Sequence, residues 1–213
     1  MSVSNYLKIL VITFVFFTFW ANLGLAQDLK NTEKLGQHAL MSGNFKEAIV
    51  HLEKVLISDS LNTNVLWMLG YSYFHLKNYK KAIHTFNRLI ELAPEDINCY
   101  YYKAKSESRL ADEYAWNAGK VKEDLMMDAI ADLNKGLKNF PGDTKLLLSR
   151  GLMYLDFGIF KGQKFEKTYS KRQSIKNLKL ALADLNLVQD LEPSRKDISP
   201  HIEKANAYLT DLK

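Results

Sequence analysis

Apolar and small side chains recur at helical spacing along this chain, and the pattern itself repeats. Gly36 is followed by Gly70, Phe45 by Tyr79, Ala48 by Ala82 and Leu52 by Phe86, each pair 34 residues apart. Apolar positions three and four apart predict amphipathic helices, and this period predicts that they come in pairs. Residues 63–96 carry the fullest copy, with Leu66, Leu69, Gly70, Tyr73, Ala82, Phe86, Leu89 and Pro94. Gly70 and Ala82 are small enough for two helices to cross closely, while Tyr73, Phe86 and Leu89 fill the space between helices. Pro94 has no N–H to donate and ends the second helix. Asn78 falls in the turn between the two, where Asn tolerates unusual backbone angles.

Residues 29–62 hold an earlier copy without gaps, built on Leu35, Gly36, Ala39, Phe45, Ala48, Leu52 and Val55, with Ser60 where Pro is expected. Later copies are longer. Ala82 to Ala129 and Pro94 to Pro141 both span 47 positions, so the third copy carries 13 extra residues between its helices. Ala129 to Ala181 and Pro141 to Pro193 both span 52, so the fourth, opened by Gly151 and Tyr154, carries 18. In the third copy Lys103 and Glu107 stand at core positions. Beyond Pro193, Pro200 suits the first turn of a helix whose apolar stripe is Ile202, Ala205 and Leu209.

The chain resembles the tetratricopeptide repeat family. Residues 63–96 follow its pattern W-x2-L-G-x2-Y, then A-x3-F, then P, departing only at Leu66 in place of Trp. The resemblance implies an all-α, right-handed superhelical solenoid of about four helix–turn–helix repeats plus a C-terminal capping helix. The expected segments are a leader at 1–26, repeats at 27–62, 63–96, 97–143 and 144–195, and a cap at 196–213. It also implies that the first helix of each pair lines a concave groove. The groove positions are Asn64, Trp67, Tyr71, Phe74 and His75 in the second repeat, and Asn98, Tyr101, Lys105, Ser108 and Arg109 in the third. Aromatic anchors among Asn, Lys and Arg suit recognition of a peptide or helix of a partner protein. Packing against the insertions or a neighbouring helix is the other use of such rings. Chaperone-binding relatives grip a C-terminal carboxylate with Lys and Asn. Here Glu33 and Gln37 hold those positions, and Trp67 and Tyr71 one repeat on, so chaperone-tail binding is not expected.

The first 26 residues read as an address. Lys8 precedes an uncharged run from Ile9 to Trp20, and Gly24 and Ala26 place small residues two apart before Gln27. This predicts a secretory signal peptide cut after Ala26. An uncleaved membrane anchor is the alternative, because Ile9–Ala26 is 18 residues, near the lower limit for spanning a bilayer. No Cys follows the cut to carry a lipid. The only cysteine, Cys99, excludes an internal disulfide, and the chain has no Asn-x-Ser/Thr acceptor. The expectation is an exported protein of a bacterial periplasm or cell surface, without membrane contact after cleavage.

Charge adds one feature. The chain carries 29 basic and 24 acidic residues, a net +5 that becomes +4 without Lys8 of the leader. Between Lys161 and Lys179 the basic residues Lys161, Lys164, Lys167, Lys171, Arg172, Lys176 and Lys179 face only Glu166. The first insertion mixes Asp112, Glu113, Glu123, Asp124 and Asp128 with Lys120 and Lys122. Both insertions separate paired helices of adjacent repeats, so stacking would bring them together on one edge. Leu110, Tyr114, Trp116 and Val121 can extend both helices of the third repeat. Beyond Phe157, Phe160, Phe165 and Tyr169, the spacing of Ile175, Leu178, Leu182 and Leu185 starts the last long helix well before Ala181. The edge residues Lys161, Lys164, Lys167, Lys171 and Arg172 have three uses open to them: neutralising the acidic insertion, facing an acidic partner, or lining a solvated loop.

Signals for chemistry are weak. His38, His51, His75, His84 and His201 lack metal-ligand spacing, and Gly158–Lys164 lacks the Gly-Lys-Ser/Thr ending of a phosphate loop. Cys99 has no placed His or acid partner in the sequence. No catalytic role, cofactor, metal or nucleic-acid partner is expected. The reading is an exported scaffold that binds another protein in its groove. A structural subunit of an envelope complex, joined through the insertion edge, is the alternative, and a second copy of the chain is an open partner.

Overall fold

The computed structural model describes residues 13, 26–114, 118–164 and 167–212. The leader lies outside the described residues apart from Thr13 and Ala26, as do Trp116, Phe165 and Glu166. Every described element is a helix. They are α1 (26–41), α2 (Phe45–Ser58), α3 (Thr63–His75), α4 (Tyr79–Leu92), α5 (Ile97–Glu113), α6 (Gly119–Asn139), α7 (Thr144–Gly162), α8 (Lys171–Leu191) and α9 (Ser199–Asp211). Among the described residues no helix is long and apolar enough to cross a membrane. The chain divides into two compact units, one ending at Ser72 and one starting at Tyr73.

In the first unit α2 buries Ala48, Leu52 and Val55, and Leu52 lies against Gly36 of α1. A Cβ on Gly36 would lie 2.8 Å from Leu52 Cδ2, so the close crossing needs glycine there. Leu35, expected in the core, is instead exposed. The turn after α1 places Gly43 at φ 74°, and Asn44 accepts a hydrogen bond from the Glu47 N–H.

The second unit repeats that turn. The left-handed residue is Lys77, at φ 59°, not Asn78. Asn78 has φ −84° and works as an N-cap, accepting from the Lys81 N–H. Sequence reasoning put the unusual angle on the residue type that tolerates it best. The chain puts it one position earlier and uses Asn for its side-chain oxygen. Helix α4 stops at Leu92, ahead of Pro94 as expected. The Pro94 carbonyl accepts from Tyr100 Oη (3.0 Å) and from Asn139 Nδ2 (3.3 Å), tying the loop to α5 and α6.

The insertions are mostly helix. The first lengthens α5 to Glu113 and starts α6 at Gly119; the second carries α7 to Gly162 and starts α8 at Lys171, ten residues before Ala181. Leu110 is buried as expected, whereas Val121 is 42% exposed and contributes little to packing. Helices α7 and α8 lie close: a Cβ on Gly158 would sit 2.8 Å from Leu178 Cγ, and Ser174 Oγ donates to the Gly158 carbonyl at 2.6 Å. Helix α9 has Pro200 in its first turn and covers Leu155, Leu178 and Ala181 with Ala205 and Leu212.

Candidate functional site

Asn64, Trp67 and Tyr71 lie in the first unit. Asn64 is exposed, while Trp67 and Tyr71 are half-buried and stacked, with ring centroids 5.2 Å apart and planes 14° from parallel. Phe45 meets the Tyr71 ring edge-on at 6.3 Å. These rings are therefore partly engaged in packing within their own unit.

The second unit contains a cleft of about 320 Å³ between α5 and α7. Its floor is apolar, from Ala104, Leu133 and Met153, and Tyr101 and Leu152 stand on its walls. Its rim holds Lys105 and Arg109 with Asp112 and Asp156. The expected groove residues Tyr101, Lys105, Ser108 and Arg109 thus share one surface. Arg109 pairs with Asp112 at 3.9 Å, and both side chains are exposed.

Cations flank Tyr101. Lys145 Nζ lies 4.0 Å from its ring centroid, and Lys105 Nζ lies 5.2 Å away while donating to the Tyr101 hydroxyl at 3.1 Å. Lys145 also donates to Asn98 Oδ1 at 2.8 Å, and Asn98 does not line the cleft. Phe74 and His75 do not line the cleft. Phe74 packs against Tyr79 and Tyr102 at 5.8 and 5.5 Å, so it serves the helix interface. His75 stays on the surface, and partial burial with the charge of Lys105 lowers its pKa and keeps it neutral near pH 7. Asp156 still reaches solvent, yet desolvation by the protein around it raises its carboxyl above the ordinary value, helped by Asp112 and opposed by Lys204 and His201.

Lys145, Leu152 and Asp156 were absent from the sequence expectation. They sit 47 positions after Asn98, Lys105 and Arg109, the spacing already evident between Pro94 and Pro141. Carrying the groove positions one repeat further would have found all three.

The basic edge divides. Lys161 is not part of an exposed patch: it is 4% exposed, and its ammonium donates to Glu123 at 3.1 Å. This ion pair links the two insertions. A buried ammonium needs a partner to offset desolvation, which a count of charges along the sequence cannot reveal. Lys164, Lys167, Lys171 and Arg172 are exposed.

The remaining reactive groups are committed to structure. Cys99 is fully buried, and burial together with Asp96 pushes its thiol far above the ordinary range, so no thiolate nucleophile forms. Among the described residues no group of three His, Cys, Asp or Glu side chains is arranged to hold a metal ion.

Comparison with known proteins supports the fold. The family model of subunit 3 of the anaphase-promoting complex, or cyclosome, matches residues 41–115, less than half of the chain. No curated protein matches. Among solved structures, the chain is similar to the crystal structure of MamA protein, with 17% identity, TM-score 0.56, and coverage of 86% of this chain and 92% of that one. It is similar to MamA of Desulfovibrio magneticus RS-1, with 15% identity, TM-score 0.60 and the same coverage. A thermophilic tetratricopeptide protein of Thermus thermophilus matches at 17% identity and TM-score 0.52, covering 84% of this chain and 99% of that one. The chain has the all-α tetratricopeptide repeat fold.

Proposed function

We propose that this protein is a non-enzymatic scaffold that binds a segment of another protein in the cleft between α5 and α7. The observation that carries the reading is the cleft itself, with Ala104, Leu133 and Met153 below and Lys105, Arg109, Asp112 and Asp156 at the rim. A volume of about 320 Å³ suits one or two apolar side chains of a partner, and both signs of charge at the rim set its direction. The basic start and apolar run of the leader support export to a bacterial periplasm or cell surface. N-terminal sequencing of the protein from a cell-envelope fraction tests that part: Gln27 is expected as the first residue.

A second reading rests on a different observation. Lys164, Lys167, Lys171 and Arg172 stay exposed at the α7–α8 tip and could join an acidic subunit of an envelope complex. Crosslinking in the native host separates the two. Leu152→Glu, checked for unchanged helicity, is expected to lose the partner recovered with the natural chain. Retention by Leu152→Glu and loss on replacing the four tip residues by Glu would instead establish the edge as the interface.

A further inference from the structure

Charge along the cleft between α5 and α7 is uneven. Lys105 of α5 lines it, and Lys145 of α7 stands beside it; both are half-buried. Their Nζ atoms lie 5.2 and 4.0 Å from the centroid of the same ring, Tyr101. Lys105 donates to the Tyr101 hydroxyl and Lys145 to Asn98 Oδ1, which leaves each ammonium with donors to spare. Among the described residues neither has a carboxylate partner, whereas Lys103, Arg150 and Lys161 each meet one. A ring face and neutral oxygens attract an ammonium less than a carboxylate does.

The other end is closer to balance. Arg109 pairs with Asp112, and Asp156 lies in the field of Lys204 and His201 of α9. An acid brought there would meet two carboxylates. Between the ends lies the apolar floor of Ala104, Leu133 and Met153. Lys105 and Asp112 are seven residues apart on one helix, a rise of about 10.5 Å. An extended segment covers that length with about three residues.

Given that a partner segment binds in this cleft, as proposed above, we infer that the segment carries an Asp or Glu side chain close to an apolar one. The apolar side chain rests on the floor, and the carboxylate accepts from Lys105, with Lys145 adding its charge across the Tyr101 ring. Lys105 Nζ is held at the wall by the Tyr101 hydroxyl, where a side chain projecting from a segment over the floor reaches it. Asp112 and Asp156 repel an acid at the far end, so the acid lies on one side of the apolar residue only.

The probe is a displayed library of random segments, each tethered at both ends, selected on the full chain. Segments no longer captured by Leu152→Glu are the cleft binders. Among them Asp or Glu is expected in excess on one side of a Leu, Ile, Met or Phe. Replacing that acid by Gln should weaken binding about tenfold, the effect of one charged hydrogen bond. Lys105→Gln combined with Lys145→Gln, checked for unchanged helicity, should bind the acid and Gln segments alike. If no segment depends on Leu152, the cleft is not the site and the inference falls with it. If segments depend on Leu152 yet show no excess of acids, or bind the doubly substituted chain as tightly, the cleft remains the site and the acidic occupant alone is overturned.

Discussion

At the scale of single residues, Glu107 is where burial and charge conflict most. Its carboxyl is raised from an ordinary value of 4.5 to about 8, first by desolvation and then by Asp132, against the opposing charge of Lys103. The folded chain thus binds this proton more tightly than the unfolded chain does. Its stabilising effect is complete below the ordinary carboxylate value, declines as pH rises towards 8, and levels off above that. The slope is at most one proton, roughly 1.4 kcal/mol per pH unit between the two values. Glu107→Gln removes this contribution, so the variant should gain on the natural chain in urea unfolding between pH 5 and pH 8. Parallel pH profiles for the two proteins would show that Glu107 does not titrate in that window. Arg150 presents the contrasting case. Its Nε and Nη2 each donate to Asp184 at 2.7 Å and Nη1 to Asn134 at 2.8 Å, so charge and donors are both matched.

At the scale of elements, the turns between paired helices carry a direct comparison. Gly43 and Lys77 are 34 positions apart, and both sit in the left-handed region. Each follows its helix with the same bonds: Gly43 N–H to the Leu40 carbonyl and Asn44 N–H to Ala39, then Lys77 N–H to Phe74 and Asn78 N–H to Tyr73. A side chain in that region costs about 1 kcal/mol relative to glycine. Lys77→Gly should therefore raise stability by about 1 kcal/mol and Gly43→Ala lower it by a similar amount, as read from denaturant midpoints. The periodic helices were legible because their core positions repeat in type as well as place. The paired charges were legible only as a relation between copies. Lys103 with Asp132 and Arg150 with Asp184 occupy equivalent positions, at offsets of 47 and 52, and of the four only Lys103 stands out in the sequence, as a charge at a core position of its repeat. Lys161 takes one of the uses the sequence left open, neutralising the acidic insertion, because the packing of α6 against α7 brings Glu123 to its ammonium. The α5–α7 cleft was half legible, because its α5 residues followed the repeat pattern while its floor depends on how α6 closes under them.

At the scale of the whole molecule, a chain of stacked helix pairs distributes its stability through neighbours, and each end needs a cover. In the second unit helix α9 packs on α8 and α7. Ile198, just ahead of it, is fully buried, as is Ala205 within it. Ala205 and Leu212 lie with Leu155, Leu178 and Ala181 in one apolar cluster. Removing residues 196–213 would expose a contiguous surface of Leu and Ala side chains, the kind that seeks a second copy. The truncated chain should therefore self-associate, seen as a concentration-dependent mass in light scattering. Its lost stability should also be graded. Contacts pass from α9 to α7 and α8, then from α7 to α6 and α5, so amide exchange should quicken most in α7 and α8 and least in α4. A uniform loss of protection from α4 to α8 would mean that the buried pairs Lys103–Asp132, Arg150–Asp184 and Lys161–Glu123 bind the second unit into one cooperative block. Graded loss would mean that each pair stabilises its own repeat, leaving the α5–α7 cleft intact when the far end frays.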